Sequence, residues 1–169
     1  SGVLHHMADP IAGWQVLTDC LKKNGLMKIG LYSELARRNI GKAQEITNKE
    51  NKTLTKNDII RFRRRLVDQD DSILQELKWS ANFYSTSEIR DLLFHVQEHR
   101  FTIPTIKEIF GQLQLEFLGF EIRNKALKKH FEARYTQKSD LCDLDKWLDF
   151  EMLYPDTFIE MYQMWMQKI

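Results

Sequence analysis

Two adjacent histidines, His5 and His6, close a short apolar run, Val3-Leu4, and an Asp9-Pro10 stop follows shortly after. At the carboxyl end of a strand such rings stand where open α/β sheets gather ligands. Near neutral pH an imidazole can also give or take a proton. The pair is not a metal site, because neighbouring strand side chains point to opposite faces and a bound ion asks for more ligands. A packing histidine beside one that caps the next helix is the bland alternative. A second set, Tyr32, Ser33 and Glu34, directly follows the apolar run Leu26-Met27-Lys28-Ile29-Gly30-Leu31 and belongs to the same rim. There Ser33 is a candidate substrate contact or simply the N-cap of a strand-to-helix turn. A third set, His95, His99 and Arg100, precedes Phe101-Thr102-Ile103-Pro104 and can reach that rim from a loop. No carboxylate is fixed by spacing as their proton-transfer partner.

The elements that must position these groups follow from capping and periodicity. Asp9-Pro10 supplies an N-cap and a proline at the first helical position. Ile11, Trp14, Val16, Leu17 and Leu21 recur at helical spacing, predicting a helix to about Lys23. Asn24-Gly25 closes it, since both residues accept the left-handed conformation. The order strand (Val3 to His5), helix, strand (Leu26 to Tyr32) makes neighbouring parallel strands. The second strand's nearly unbroken apolar character predicts cover on both faces, with Lys28 the exception.

From Ser33 the pattern becomes long and polar, with helices predicted from Ser33-Glu34 to about Thr47 and from Thr55-Lys56-Asn57-Asp58 onward. Others are predicted from Ile73 to Trp79 and from Thr86-Ser87-Glu88 to His95. Thr105 to Gln114 reads as a helix buried on Ile106, Ile109, Phe110 and Leu113, and Leu115 to Ile122 reads as a strand. After Asn124 the chain reads as helical to its end, with Pro155 opening the last helix. There Trp147, Phe150, Tyr154, Phe158, Tyr162 and Trp165 recur every three or four residues as a packing stripe, beside Met161, Met164 and Met166.

Bulk properties exclude several classes. A formal charge of +1 with 29% charged residues predicts no general attraction to nucleic acid or anionic lipid. The one dense basic cluster, Lys56, Arg61, Arg63, Arg64 and Arg65, reads as a solvated, ion-paired face, because Phe62 falls on the inward stripe. No apolar run approaches membrane-spanning length. Cys20 and Cys142 stand far apart without a Cys-x-x-Cys, so neither a disulfide framework nor a zinc site is expected, and a cytoplasmic setting is. The start lacks an initiator methionine and a signal-peptide pattern, and reads as a fragment or a truncated frame.

The stretch Val3-Leu4-His5-His6 with Asp9-Pro10, its helix and the following strand resembles the fourth strand, helix and fifth strand of class I S-adenosylmethionine-dependent methyltransferases. The stretches GLYSELAR (30–37), RDLLFHVQEHRFT (90–102) and PDTFIEMYQMW (155–165) resemble bacterial proteins in which such a module follows tetratricopeptide repeats. The turn Lys22-Lys23-Asn24-Gly25 departs from the family by lacking a proline and a second glycine. No G-x-G-x-G cofactor loop occurs among the seven glycines.

The resemblance implies a helix-rich α/β fold, a partial Rossmann-like sheet of about three strands with a helical insertion and a helical tail. Its parts would be residues 1–33 (end of the cofactor-binding core), 34–84 (insertion), 85–122 (final helix and last strand) and 123–169 (helical tail). In that family the last strand lies antiparallel beside the fifth, which requires Met27–Leu31 to pair with Phe117–Phe120. The implied reaction is methyl transfer from S-adenosylmethionine to an unidentified acceptor, driven by positioning rather than by an acid–base pair. Ser1, Gly2, Val3, Leu4 and His5 would form one wall of the cofactor cleft, and His6, Tyr32, Ser33, His95, His99 and Arg100 the substrate side. Without the glycine loop and the ribose-binding acid, weak or absent cofactor binding and no activity are expected of this chain alone. The implied partners are the missing N-terminal half or an upstream domain, and a second copy joined through the open edge at Gly2 to His5 or through the aromatic C-terminal helix. The rival reading is a helical protein-interaction module that keeps remnants of the sheet.

Overall fold

The computed structural model describes residues 2–48, 60, 64 and 98–169. The chain forms two compact units, Ser1–Ala36 with Gln97–Ile169, and Arg37–Val96. Of the second unit, helix α2 (Arg38–Asn48) is described; it begins after a turn at 34–37, later than the capping pattern predicts. The predicted helices between Thr55 and His95 lie outside the described residues, apart from the helical Ile60 and Arg64.

The first unit is built on a four-stranded sheet. Helix α1 (Pro10–Asp19) is capped by Asp9, whose carboxylate accepts from the Ala12 N–H at 2.9 Å. It ends earlier than Lys23, and Asn24 takes the left-handed conformation, φ 61°. Strand β1 (Leu26–Ser33) follows. Strand β2 (Arg100–Phe101) leads into helix α3 (Ile103–Gln112), capped by Thr102. Strand β3 (Leu115–Phe120), helix α4 (Lys125–Arg134), helix α5 (Leu144–Leu153) and strand β4 (Tyr162–Lys168) complete the unit. Short 3-10 turns occupy Leu4–His6 and Lys138–Cys142.

The strand order is β2-β1-β4-β3, with β2 parallel to β1 and β4 antiparallel to both β1 and β3. One face carries Ile29 opposite Met164 and Leu31 opposite Tyr162, all at most 3% exposed. Phe117 of β3 extends this face to Phe110 of α3, and Phe110 meets Trp14 of α1 edge to face. A second aromatic group stacks Phe131 of α4 on Trp147 of α5, centroids 3.6 Å apart. The other face keeps Leu26 and Trp165 exposed, with Lys28 opposite Trp165 and paired to Glu121. That face is open at Leu26 and half-open at Lys28, whereas Ile29, Gly30 and Leu31 are buried in succession, so cover on both faces holds only over the middle of β1.

Three expectations are corrected. Val3 to His5 is not a strand. Leu4 is drawn against Gly13 of α1, where a side chain would collide with Met7, and the run coils into a 3-10 turn. Met27–Leu31 does not pair with Phe117–Phe120: β4 lies between them and pairs with both. The C-terminal region is not helical to its end, and Pro155 opens no helix. Tyr162, Met164 and Met166 are fully buried while Gln163, Trp165 and Gln167 are not, the period of two that a strand imposes. Among the described residues the sheet thus has four strands rather than about three, and Gly2 to His5 forms no open strand edge. Nor is there an aromatic C-terminal helix that could join two copies. The mixed α/β class itself is as expected.

Candidate functional site

The carboxyl end of β1 draws together three segments that are distant in sequence. Tyr32 registers with Arg100 and Ser33 with Phe101 in the β1–β2 pairing. The Glu34 N–H donates to the Phe101 carbonyl at 2.9 Å, extending this junction by one residue. The His99 N–H donates to the His5 carbonyl at 2.8 Å, tying the segment before β2 to the 3-10 turn. On that turn the His5 ring lies against the Tyr32 ring, with centroids 3.9 Å apart and planes tilted by 36°. His6 meets both, at 4.3 Å from His5 and 5.9 Å from Tyr32, edge-on in each case. His5 is fully buried, while His6, Tyr32, His99 and Arg100 are half-buried. Arg100 Nε donates to Glu98 Oε1 at 3.0 Å, an ion pair on the rim.

The candidate residues divide accordingly. His5, His6, Tyr32, His99 and Arg100 converge on one rim. Ser1 and His95 lie outside the described residues. Gly2 has φ 77° with open space around it, and Val3 is 64% exposed, whereas Leu4 belongs to the core. Ser33 is not on the rim. It is fully buried, accepts from the Ala36 N–H at 3.1 Å as a turn cap does, and donates to Glu151.

Glu151, unrecognised in the sequence, is the centre of a buried polar node. Its Oε1 accepts from Ser33 Oγ at 2.6 Å, and Tyr162 Oη stands 2.8 Å from each of its carboxyl oxygens. The residue is 2% exposed. Burial raises its carboxyl above the ordinary range against the opposing pull of these two hydroxyls. Burial and the neighbouring Glu151 charge likewise hold the Tyr162 phenol protonated. The signal was available: Glu151 falls in the inward row of α5 with Leu144, Trp147 and Phe150, where an acid needs partners.

Among the described residues no group of three metal-ligating side chains occurs, and no helix is long and apolar enough to cross a membrane. Of the basic cluster only Arg64 is described, and it is exposed.

No family model matches the chain. It is 24% identical to an uncharacterized protein of Synechococcus sp., over 90% of this chain and 38% of that protein. The chain thus spans well under half the length of this relative.

Proposed function

We propose that residues 1–169 are the C-terminal part of a class I S-adenosylmethionine-dependent methyltransferase, contributing the acceptor side of its cleft. The observation that carries this reading is the position of β4. The chain's last strand runs antiparallel beside β1, as the resemblance requires of the family's last strand. The pairing first required of that strand, Met27–Leu31 with Phe117–Phe120, is absent and counts against the resemblance as first stated; the reading stands only if β4, and not residues 116–122, is the family's last strand. The gathering of His5, His6, Tyr32, His99 and Arg100 at the carboxyl end of β1 supports it further, because ligands of open α/β sheets bind at that end.

The residues present do not by themselves fit the cofactor. Of the five expected wall residues, Leu4 and His5 are buried in packing, and Gly2 and Val3 project no polar group. On this reading S-adenosylmethionine is held by the whole protein, with segments beyond these residues. What this chain supplies is orientation. Half-buried His6 and Tyr32 offer ring surfaces to an acceptor, and the His99 main chain fixes the turn that carries His5. Positioning of this kind is the main source of rate in a bimolecular transfer. Of the rival interaction module's two supports, the aromatic and methionine tail is partly used inside the sheet, where Tyr162, Met164 and Met166 are buried while Tyr154 and Trp165 stay exposed; its long helical content lies largely outside the described residues.

The test is calorimetric titration of S-adenosylmethionine into this chain and into a protein extended upstream along its own gene. No binding to the chain and micromolar binding to the extended protein are expected. Binding by neither would remove the methyltransferase reading.

A further inference from the structure

We propose that Glu151 is a positioning residue that, acting through Ser33, sets where the Tyr32 ring stands against His5. Successive side chains of a strand leave on opposite faces, so Ser33 enters the core while Tyr32 leaves toward the rim. Ser33 is the last residue of β1, and its hydroxyl is held from two sides, by the Ala36 N–H and by the Glu151 carboxyl. Tyr162 is the first residue of β4, faces Leu31 across the sheet, and donates to the same carboxyl. One buried side chain of α5 thus joins the end of β1 to the start of β4. On its other edge this strand end is held by the two-residue pairing with β2. Consecutive Cα atoms are a fixed distance apart, so a pinned Ser33 leaves the Tyr32 backbone little freedom, and the 3.9 Å contact with His5 follows. Truncating Glu151 leaves the buried Ser33 and Tyr162 hydroxyls without the acceptor they share and removes one of the two holds on Ser33. That the rim is an acceptor wall rests on the methyltransferase reading; the coupling of Glu151 to Tyr32 does not.

The experiment is proton NMR of the Tyr32 ring in this chain, assigned by Tyr32→Phe, with thermal unfolding of each variant recorded in parallel. Against the His5 ring the Tyr32 signals are displaced from random-coil values. Glu151→Gln, which keeps an acceptor oxygen, is expected to retain that displacement. Glu151→Ala and the milder Ser33→Ala are expected to lose it. Leu115→Ala, a core change at the start of β3 opposite Lys168 at the far end of β4 from Tyr162, serves as the control and is expected to lower the melting temperature without moving the Tyr32 signals. Unchanged signals in Ser33→Ala would overturn the proposal, as would equal loss in Glu151→Gln or in Leu115→Ala. Ser33→Ala decides the matter if Glu151→Ala does not fold. These readings require no cofactor, so their failure is distinct from failure of the methyltransferase assignment.

Discussion

Glu151 gives the protein a pH dependence whose sign is fixed by burial. Its folded carboxyl titrates above the ordinary value of 4.5, so folding takes up a proton in the interval between the two. The stability this confers is full below the unfolded value and is lost as pH rises through the folded one. Glu151→Gln removes the titration. From about pH 4 to about pH 8 the melting temperature of the native protein should fall relative to that of the variant, and a difference independent of pH would contradict the assignment. Tyr162→Phe deletes one of the two hydroxyls that serve this carboxyl, and a loss of about 1–3 kcal/mol in denaturant unfolding is expected. Tyr32 follows an apolar run, but His5 was read at the end of a strand that does not form and His99 lies within the polar run Gln97-Glu98-His99-Arg100, so their meeting beside Tyr32 comes from the fold. Of the two readings of Ser33, the turn cap is observed and the substrate contact is not, because a strand's inward and outward residues alternate and Ser33 faces the core.

At the level of elements, caps were legible and the last strand was not. Asp9 before Pro10 and Asn124 before Lys125 stand at the starts of their helices as read, whereas Thr102 caps α3 two residues ahead of the start read at Thr105. Asp9→Ala should cost about 1 kcal/mol, read from urea unfolding. The tail misled because Tyr154, Phe158, Tyr162 and Trp165 satisfy a helical spacing while Tyr162, Met164 and Met166 satisfy a period of two. A short apolar segment does not choose between these periods on its own. The choice is made by pairing: β4 is the only described strand bonded to both β1 and β3, and Lys168 also reaches back to the Thr18 and Leu21 carbonyls at the end of α1. Neighbouring residues of β4 should therefore respond in opposite ways. Met164→Ala, in the core, is expected to cost about 2–5 kcal/mol. Trp165→Thr, 42% exposed on the open face, is expected to cost under about 1 kcal/mol. Similar losses at both positions would speak against the strand.

At the scale of the whole molecule, the described sheet unites segments from both ends of the chain, with residues 26–33 and 162–168 as its central pair. This long-range pairing was foreseen in kind, as an antiparallel strand beside β1, and misassigned to residues 116–122, because both segments carry strand-compatible patterns and topology alone separates them. The methyltransferase reading lives at this scale, for it concerns what the β1 rim faces in a longer protein; the Synechococcus relative extends well beyond the matched region. The most direct measurement is the S-adenosylmethionine titration of the extended protein with Tyr32 and Tyr32→Ala compared. Because Tyr32 is assigned to the acceptor side, the predicted result is micromolar cofactor binding to both forms, with methyl transfer to acceptor lost in the variant. No binding of S-adenosylmethionine by the extended protein, in either form, would contradict the reading.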